Sequence, residues 1–178
     1  MPAKFSFAFI ASLMFAAFPL QFASMHSSQL FAAGPKAIEI STDDVHDLLN
    51  KQKDAEAEAE KAGRQAPQAD FVLVDVRSEA EMNISIIPDA ITRDEYEAHP
   101  EKYAGRTVIP YCAVGGRSTA YAAKLADQGL HVKNYKGSIL DWVVSELPLV
   151  TPDGKPTDRV FAFGPNHKIP SKYKQVRK

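Results

Sequence analysis

The chain has 178 residues, 45% of them hydrophobic, and 21 Lys and Arg against 22 Asp and Glu give a net charge of -1. That length suits one compact domain plus tails, and the near-neutral balance gives no reason to expect a nucleic-acid partner. A single cysteine excludes an internal disulfide, so it is either a small buried apolar residue or a reactive thiol. His26, His46, His99, His131 and His167 fall neither at i, i+4 nor in Cys/His pairs, so neither a metal site nor a cofactor is expected.

Residues 1–33 open with Lys4 and run apolar from Phe5 to Phe18 before Pro19, the pattern of a secretory signal peptide. Cleavage is expected between Ala23 and Ala33, but neither Gln21-Phe22-Ala23 nor Phe31-Ala32-Ala33 meets the Ala-x-Ala pattern, so the alternative of an uncleaved N-terminal membrane anchor stays open. Both readings place the domain outside the cytoplasm, in a periplasmic or otherwise exported location. Lys36–Ile40 predicts a first strand, and Ser41 to Asp44 supply helix N-cap chemistry for a stripe of Val45, Leu48 and Leu49. From Lys51 to Ala69 the stripe gives way to a charged insertion, a solvated helical extension or loop with nothing to face a core.

Phe71-Val72-Leu73-Val74 reads as a strand buried on both faces, with Asp75 and Arg77 at its C-terminal end, where α/β sheets collect ligands; the favoured reading of the two charges is that they orient the neighbouring loops through hydrogen bonds, the other that they serve the site. Glu81, on a short helix begun by Ser78, is expected to pair with Arg77 or Arg117. Thr92 to Gly105 reads as polar connection. Thr107 to Tyr111 predicts a second buried strand, and Ser118 to Ala126 a helix closed by Gly129. His131 to Tyr135 predicts another short strand, and Gly137-Ser138 a helix burying Ile139, Trp142 and Val143. From Val150 to Lys178 prolines and glycines exclude long regular elements and basic residues prevail, which reads as a solubilising tail with Phe161, Phe163 and Tyr173 packing in part on the domain.

Between the second strand and its helix stands Cys112-Ala113-Val114-Gly115-Gly116-Arg117-Ser118. The glycine pair lets the backbone curl so that successive N–H groups turn toward one point, the sulfur, and the helix N-terminus favours an anion there. A thiol so placed ionises more readily than a free one, and the thiolate is the nucleophile. Cysteine phosphatases enclose five residues between cysteine and arginine to wrap a phosphate. Cys112 and Arg117 enclose four, and the smaller cradle suits a single sulfur atom better.

This loop resembles the active-site loop of the rhodanese (sulfurtransferase homology) domain. Leu73-Val74-Asp75-Val76-Arg77 resembles the family's Asp-Val-Arg strand end, and Ile87-Pro88-Asp89-Ala90 falls where Ile-Pro-Gly-Ala is usual. Gly137-Ser138-Ile139-Leu140-Asp141-Trp142 resembles the closing Gly-Gly-x-x-x-Trp. The likeness runs from Ile38 to Leu149, within a domain set at residues 36–149. It departs at Ser85-Ile86, where the family commonly has Gly-His, and at Ala113-Val114, where a basic residue often follows the cysteine.

The resemblance implies an α/β fold, a central mostly parallel five-stranded sheet with helices on both faces. It also implies sulfur transfer through a Cys112 persulfide held by amides from Ala113 to Ser118, with Asp75, Arg77 and Glu81 in support. The implied partners are a small donor such as thiosulfate or a persulfide, a protein persulfide carrier among them, and a thiophilic acceptor. A membrane enters only through an uncleaved N-terminus. The apolar Ala113-Val114 mouth leads one to expect slow turnover of thiosulfate. The rival reading is a non-catalytic binding or redox-sensing module.

Overall fold

The computed structural model describes residues 37–161, 163–164 and 166–177, so the leader or anchor expected within 1–33 lies outside the described residues. The chain folds around β2 (Phe71–Asp75) and β4 (Thr107–Tyr111), which pair in parallel from Phe71 opposite Thr107 to Asp75 opposite Tyr111. All five residues of β2 are buried, because β3 (Ile91–Thr92) covers its other edge and helices cover both faces. A continuous apolar run is what such a strand requires.

Beyond β4 lies a second parallel pair, β1 (Ile38–Glu39) with β5 (Lys133–Asn134). The two pieces join through a bridge between Val108 and Val132, where the Val108 N–H donates to the His131 carbonyl at 2.8 Å and the Tyr135 N–H to the Pro110 carbonyl at 3.2 Å. Pro110 has no N–H to continue the ladder toward β5, which explains why a bridge, not a full strand pairing, makes the joint. Every pairing along the order β1-β5-β4-β2-β3 is parallel.

Alternation along the strands sends Phe71, Leu73, Ile109 and Tyr111 to one face, with Ile40, Val45, Ile139 and Trp142, and Val72, Val74, Val108 and Cys112 to the other, with Tyr121, Ala122 and Leu125. The first face is covered by α1 (Thr42–Lys61) and α5 (Ser138–Val144), the second by α4 (Gly116–Asp127) and by α3 (Arg93–Ala98) through Tyr96, while the short α2 (Glu79–Met82) follows β2. Ser41 begins α1 with a capping box to Asp44, and α4 ends on Gly129, which takes φ +81° while Leu130 N–H returns to the Leu125 carbonyl at 3.2 Å.

The structure differs from expectation at three places. The charged run after Leu49 takes the helical of the two forms expected, continuing α1 to Lys61, but its Ala59 is fully buried, so one methyl of that run does find a protein surface. Residues 92–105 are not simple connection: Thr92 caps α3, a 3-10 turn follows at Pro100–Tyr103, and the Tyr96 and Tyr103 rings lie 5.6 Å apart. One buried side chain in a six-residue helix is too little periodicity to read from sequence. Finally, the segment after Val150 is not merely a solubilising tail. It forms β7 (Pro156–Thr157), antiparallel to β6 (Leu149–Val150), and β8 (Arg159–Phe161), parallel to β9 (Lys174–Val176). Val160 and Tyr173 join the Trp142 core, the Tyr173 hydroxyl donates to the Leu147 carbonyl, and Phe163 and Ile169 pack alongside.

Candidate active site

Cys112 follows the last residue of β4, at the C-terminal edge of the sheet, and α4 begins four residues later. The turn between them depends on Gly115, which takes φ +92°. A Cβ there would stand 2.3 Å from the Lys136 carbonyl oxygen, so the turn is closed both by backbone conformation and by the neighbouring chain. Gly116 has open space around it and a helical backbone, so only the first glycine of the pair is required by the geometry. The Gly115 carbonyl is held by the Thr119 N–H at 3.0 Å, the Ser118 hydroxyl at 3.1 Å and the Thr119 hydroxyl at 2.8 Å.

This turn aims amides at the sulfur. Gly115 N–H donates to Cys112 Sγ at 3.1 Å, and the backbone N–H groups of Ser118 and Val114 also serve it. The cysteine is buried, with 1% of its surface exposed. Burial pushes the thiol up, but the amides of Ser118, Val114 and Gly115, together with the Ser138 hydroxyl, outweigh it and hold the thiol below its ordinary value. A buried cysteine surrounded only by apolar groups would move the other way.

Around the sulfur the loop divides into buried and open parts. Gly115 and Ser118 are buried with Cys112, Ala113 is half-buried, and Val114, Gly116 and Arg117 are exposed. Arg117 forms a two-pronged pair with Glu81, at 2.7 and 2.8 Å, which decides between the two partners the sequence left open. Glu81 Oε2 also accepts from the Ser78 N–H at 3.0 Å and the Ser78 hydroxyl at 2.7 Å. Burial opposes ionisation of Glu81, yet the Arg117 and Ser78 bonds bring it down to about 2. Those bonds to Glu81, against some desolvation and with the facing Cys112 sulfur adding to them, raise Arg117.

Asp75 and Arg77 sit in a different place. Both are buried, Arg77 clamps Asp75 at 2.6 to 3.0 Å, and its other reach is to the Ser85 carbonyl at 2.6 Å. The Tyr111 hydroxyl donates to Asp75 at 2.6 Å and accepts from the Ile87 N–H at 3.2 Å. The pair therefore ties the ends of β2 and β4 to the 85–87 segment, and none of these bonds reaches the sulfur. Burial, and then the Asp75 charge, push the Tyr111 phenol well up, so it stays protonated as the donor this arrangement needs.

Beside the loop, between α3 and α4, runs a groove of about 460 Å³ lined by Arg93, Arg117 and Lys124 with Glu97, over Val76 and Tyr121. The apolar mouth expected from Ala113-Val114 thus adjoins a basic wall that comes from another part of the chain. Ser138 is the residue that sequence reasoning missed. It is fully buried, its Oγ accepts the Cys112 N–H at 3.0 Å and lies 3.8 Å from Cys112 Sγ, and its φ is +59°. The signal was the serine standing where the resemblance calls for the second glycine of Gly-Gly-x-x-x-Trp.

The family model described as "Rhodanese-like domain" matches residues 41–145, from the N-cap of α1 to the end of α5. A sulfurtransferase of Allochromatium vinosum is 37% identical over 95 residues, spanning 51% of this chain and 89% of that protein. Among solved structures, the thiosulfate sulfurtransferase of Pseudomonas aeruginosa is 20% identical, with a TM-score of 0.48 over 72% of this chain and 22% of that one. The polysulfide-sulfur transferase homodimer of Wolinella succinogenes is 19% identical, with a TM-score of 0.46 over 67% and 82%. With its parallel sheet between helical layers and its cysteine loop at the sheet edge, the chain belongs to the rhodanese-like family.

Proposed function

We propose that the protein is a sulfurtransferase that carries sulfur as a persulfide on Cys112. The observation behind this is the convergence of the Gly115, Val114 and Ser118 amides on a sulfur whose proton is loosened. In the first step the Cys112 thiolate attacks the outer sulfur of a donor. With thiosulfate, the donor S–S bond breaks with its electron pair, sulfite leaves, and Cys112 holds a persulfide anion. With a persulfide donor, the leaving group is the donor's thiolate. In the second step a thiophile, cyanide or a thiolate, attacks the terminal sulfur, and Cys112 departs as the thiolate, ready for another cycle.

The chain's own residues supply four things. The amide ring compensates negative charge on sulfur without a histidine base. Glu81 fixes the Arg117 guanidinium beside the loop, and Gly115 keeps the ring closed. Exposed Val114, Gly116 and Arg117 form the outer face that a donor meets, with the basic groove alongside favouring an anionic one. We also propose, from the apolar run Phe5–Phe18, that the domain works outside the cytoplasm, which sequencing of the mature N-terminus checks.

Mass spectrometry after a pulse of thiosulfate or a low-molecular-weight persulfide tests the chemistry. The expected result is one added sulfur on Cys112, removed by cyanide. An unmodified or only oxygenated thiol would instead favour the binding or redox-sensing reading.

A further inference from the structure

The turn before α5 backs the cysteine loop along its length. Ile139 N–H donates to the Cys112 carbonyl at 3.1 Å, Leu140 N–H to the Ala113 carbonyl at 3.1 Å, and the Lys136 carbonyl closes on Gly115. At the centre of this wall stands Ser138, with no exposed surface and with φ +59°, a region that a residue bearing a Cβ rarely occupies. Glycine would sit there without strain. A strained side chain held in such a place needs a compensating role.

The hydroxyl has one proton to give and two lone pairs to accept with. It accepts the Cys112 N–H at 3.0 Å, and two acceptors compete for its proton: the Tyr135 carbonyl at 3.0 Å and Cys112 Sγ at 3.8 Å. A neutral thiol is a poor acceptor, so the carbonyl holds the proton while Cys112 is protonated. An ionised sulfur is a far stronger acceptor, since bonds to a charged partner are about twice as strong as neutral ones.

We propose that Ser138 is a positioning residue for Cys112, turning its hydroxyl proton from the Tyr135 carbonyl to the sulfur when the thiol gives up its own proton to solvent. One side chain then holds the cysteine backbone in place in both states and stabilises the thiolate in the second. When sulfur is taken up the negative charge moves to the terminal atom, and the hydroxyl returns to Tyr135. The charged group facing the sulfur is Arg117, held by Glu81, and substitution at 138 alters neither.

The inference rests on Cys112 acting as a thiolate, and its test is chosen to be independent of sulfur transfer. Because the chain has one cysteine, its thiolate absorbance in the ultraviolet, read against Cys112→Ser, titrates that group alone. Ser138→Gly and Ser138→Ala are both expected to raise the apparent pKa of Cys112 by about one unit, a tenfold smaller thiolate fraction below it. Both variants leave the Cys112 N–H without its acceptor, but Ser138→Gly is relieved of strain and is expected to keep a higher urea midpoint than Ser138→Ala. An equal rise in thiol pKa in two variants of unequal stability is what a purely structural serine cannot produce. An unchanged titration in Ser138→Gly, a shift confined to Ser138→Ala, or a glycine variant that fails to fold would each overturn the proposal. If the titrations behave as expected but no donor loads sulfur on Cys112, the role of Ser138 stands and the sulfurtransferase reading falls.

Discussion

Replacing Gly115 by alanine tests the architecture of the loop most directly. The added methyl would meet the Lys136 carbonyl oxygen at 2.3 Å, well inside the 3.0 Å that real Cβ contacts keep, and φ +92° is itself unfavourable for a residue with a Cβ. Lys136 has little room to yield, because the residue before it is tied to β4 by the Tyr135–Pro110 bond and its own N–H is bonded to the Asn134 carbonyl at 3.0 Å. The left-handed backbone costs about 1–2 kcal/mol and an overpacked contact about 1–3 kcal/mol more. A loss of about 2–5 kcal/mol is then expected, a large part of the ~5–15 kcal/mol that holds a domain of this kind. Equilibrium urea unfolding measures it, and Gly116→Ala is the control, since its methyl enters open space on a helix and should stabilise by about 0.4–1 kcal/mol. The two glycines are adjacent and chemically identical, so the contrast isolates conformation and contact. Because the Gly115 amide is one of the donors to Sγ, Gly115→Ala should also raise the thiol pKa. A Gly115→Ala protein within about 0.5 kcal/mol of wild type, with its thiol titration unmoved, would refute this account of the loop.

Other outcomes are expected from the same geometry. Glu81 has a folded pKa of about 2 against an ordinary 4.5, so its pairing stabilises the protein above that ordinary value and is lost as pH falls from there toward 2. Glu81→Gln should flatten that acid limb in urea unfolding across pH, by about 1 kcal/mol at most because Arg117 is half-exposed; an identical limb would count against the pair. Arg77→Met leaves the Asp75 carboxylate buried without its cation and should cost about 3–5 kcal/mol, so a loss below about 1 kcal/mol would show that the pair is not what ties β2 to the 85–87 segment. Cys112→Ser should abolish the sulfur adduct while changing stability by less than about 1 kcal/mol, and any adduct that survives points to another nucleophile. Val160→Ala should cost about 1–3 kcal/mol if residues 159–176 belong to the core, whereas a surface tail would leave the urea midpoint unmoved.

Much of this molecule is legible in one dimension because its central strands are buried on both faces. A run such as Phe71 to Val74 has no polar alternative to obscure it, and the Ser41–Asp44 cap and Gly129 stop mark helix ends through bonds between near neighbours. The cysteine loop was legible for the same reason: Gly115 and the amides that follow act on a sulfur only three to six residues away. Local chemistry writes itself into local sequence.

What only the tertiary structure decided depends on residues far apart in the chain. Glu81 chose Arg117 over the nearer Arg77 because Arg77 is consumed by Asp75 and the Ser85 carbonyl. Ser138 reached Cys112 across 26 residues, since parallel crossovers bring the α5 turn behind the β4 loop, and no spacing rule foretells that contact. Tyr173 and Val160 entered the core although their segment shows no regular period, because the chain after Val150 returns to the cluster that holds Trp142 and Leu149. Periodicity reports which residues want burial, whereas the partner each finds is set by where the sheet order delivers the chain.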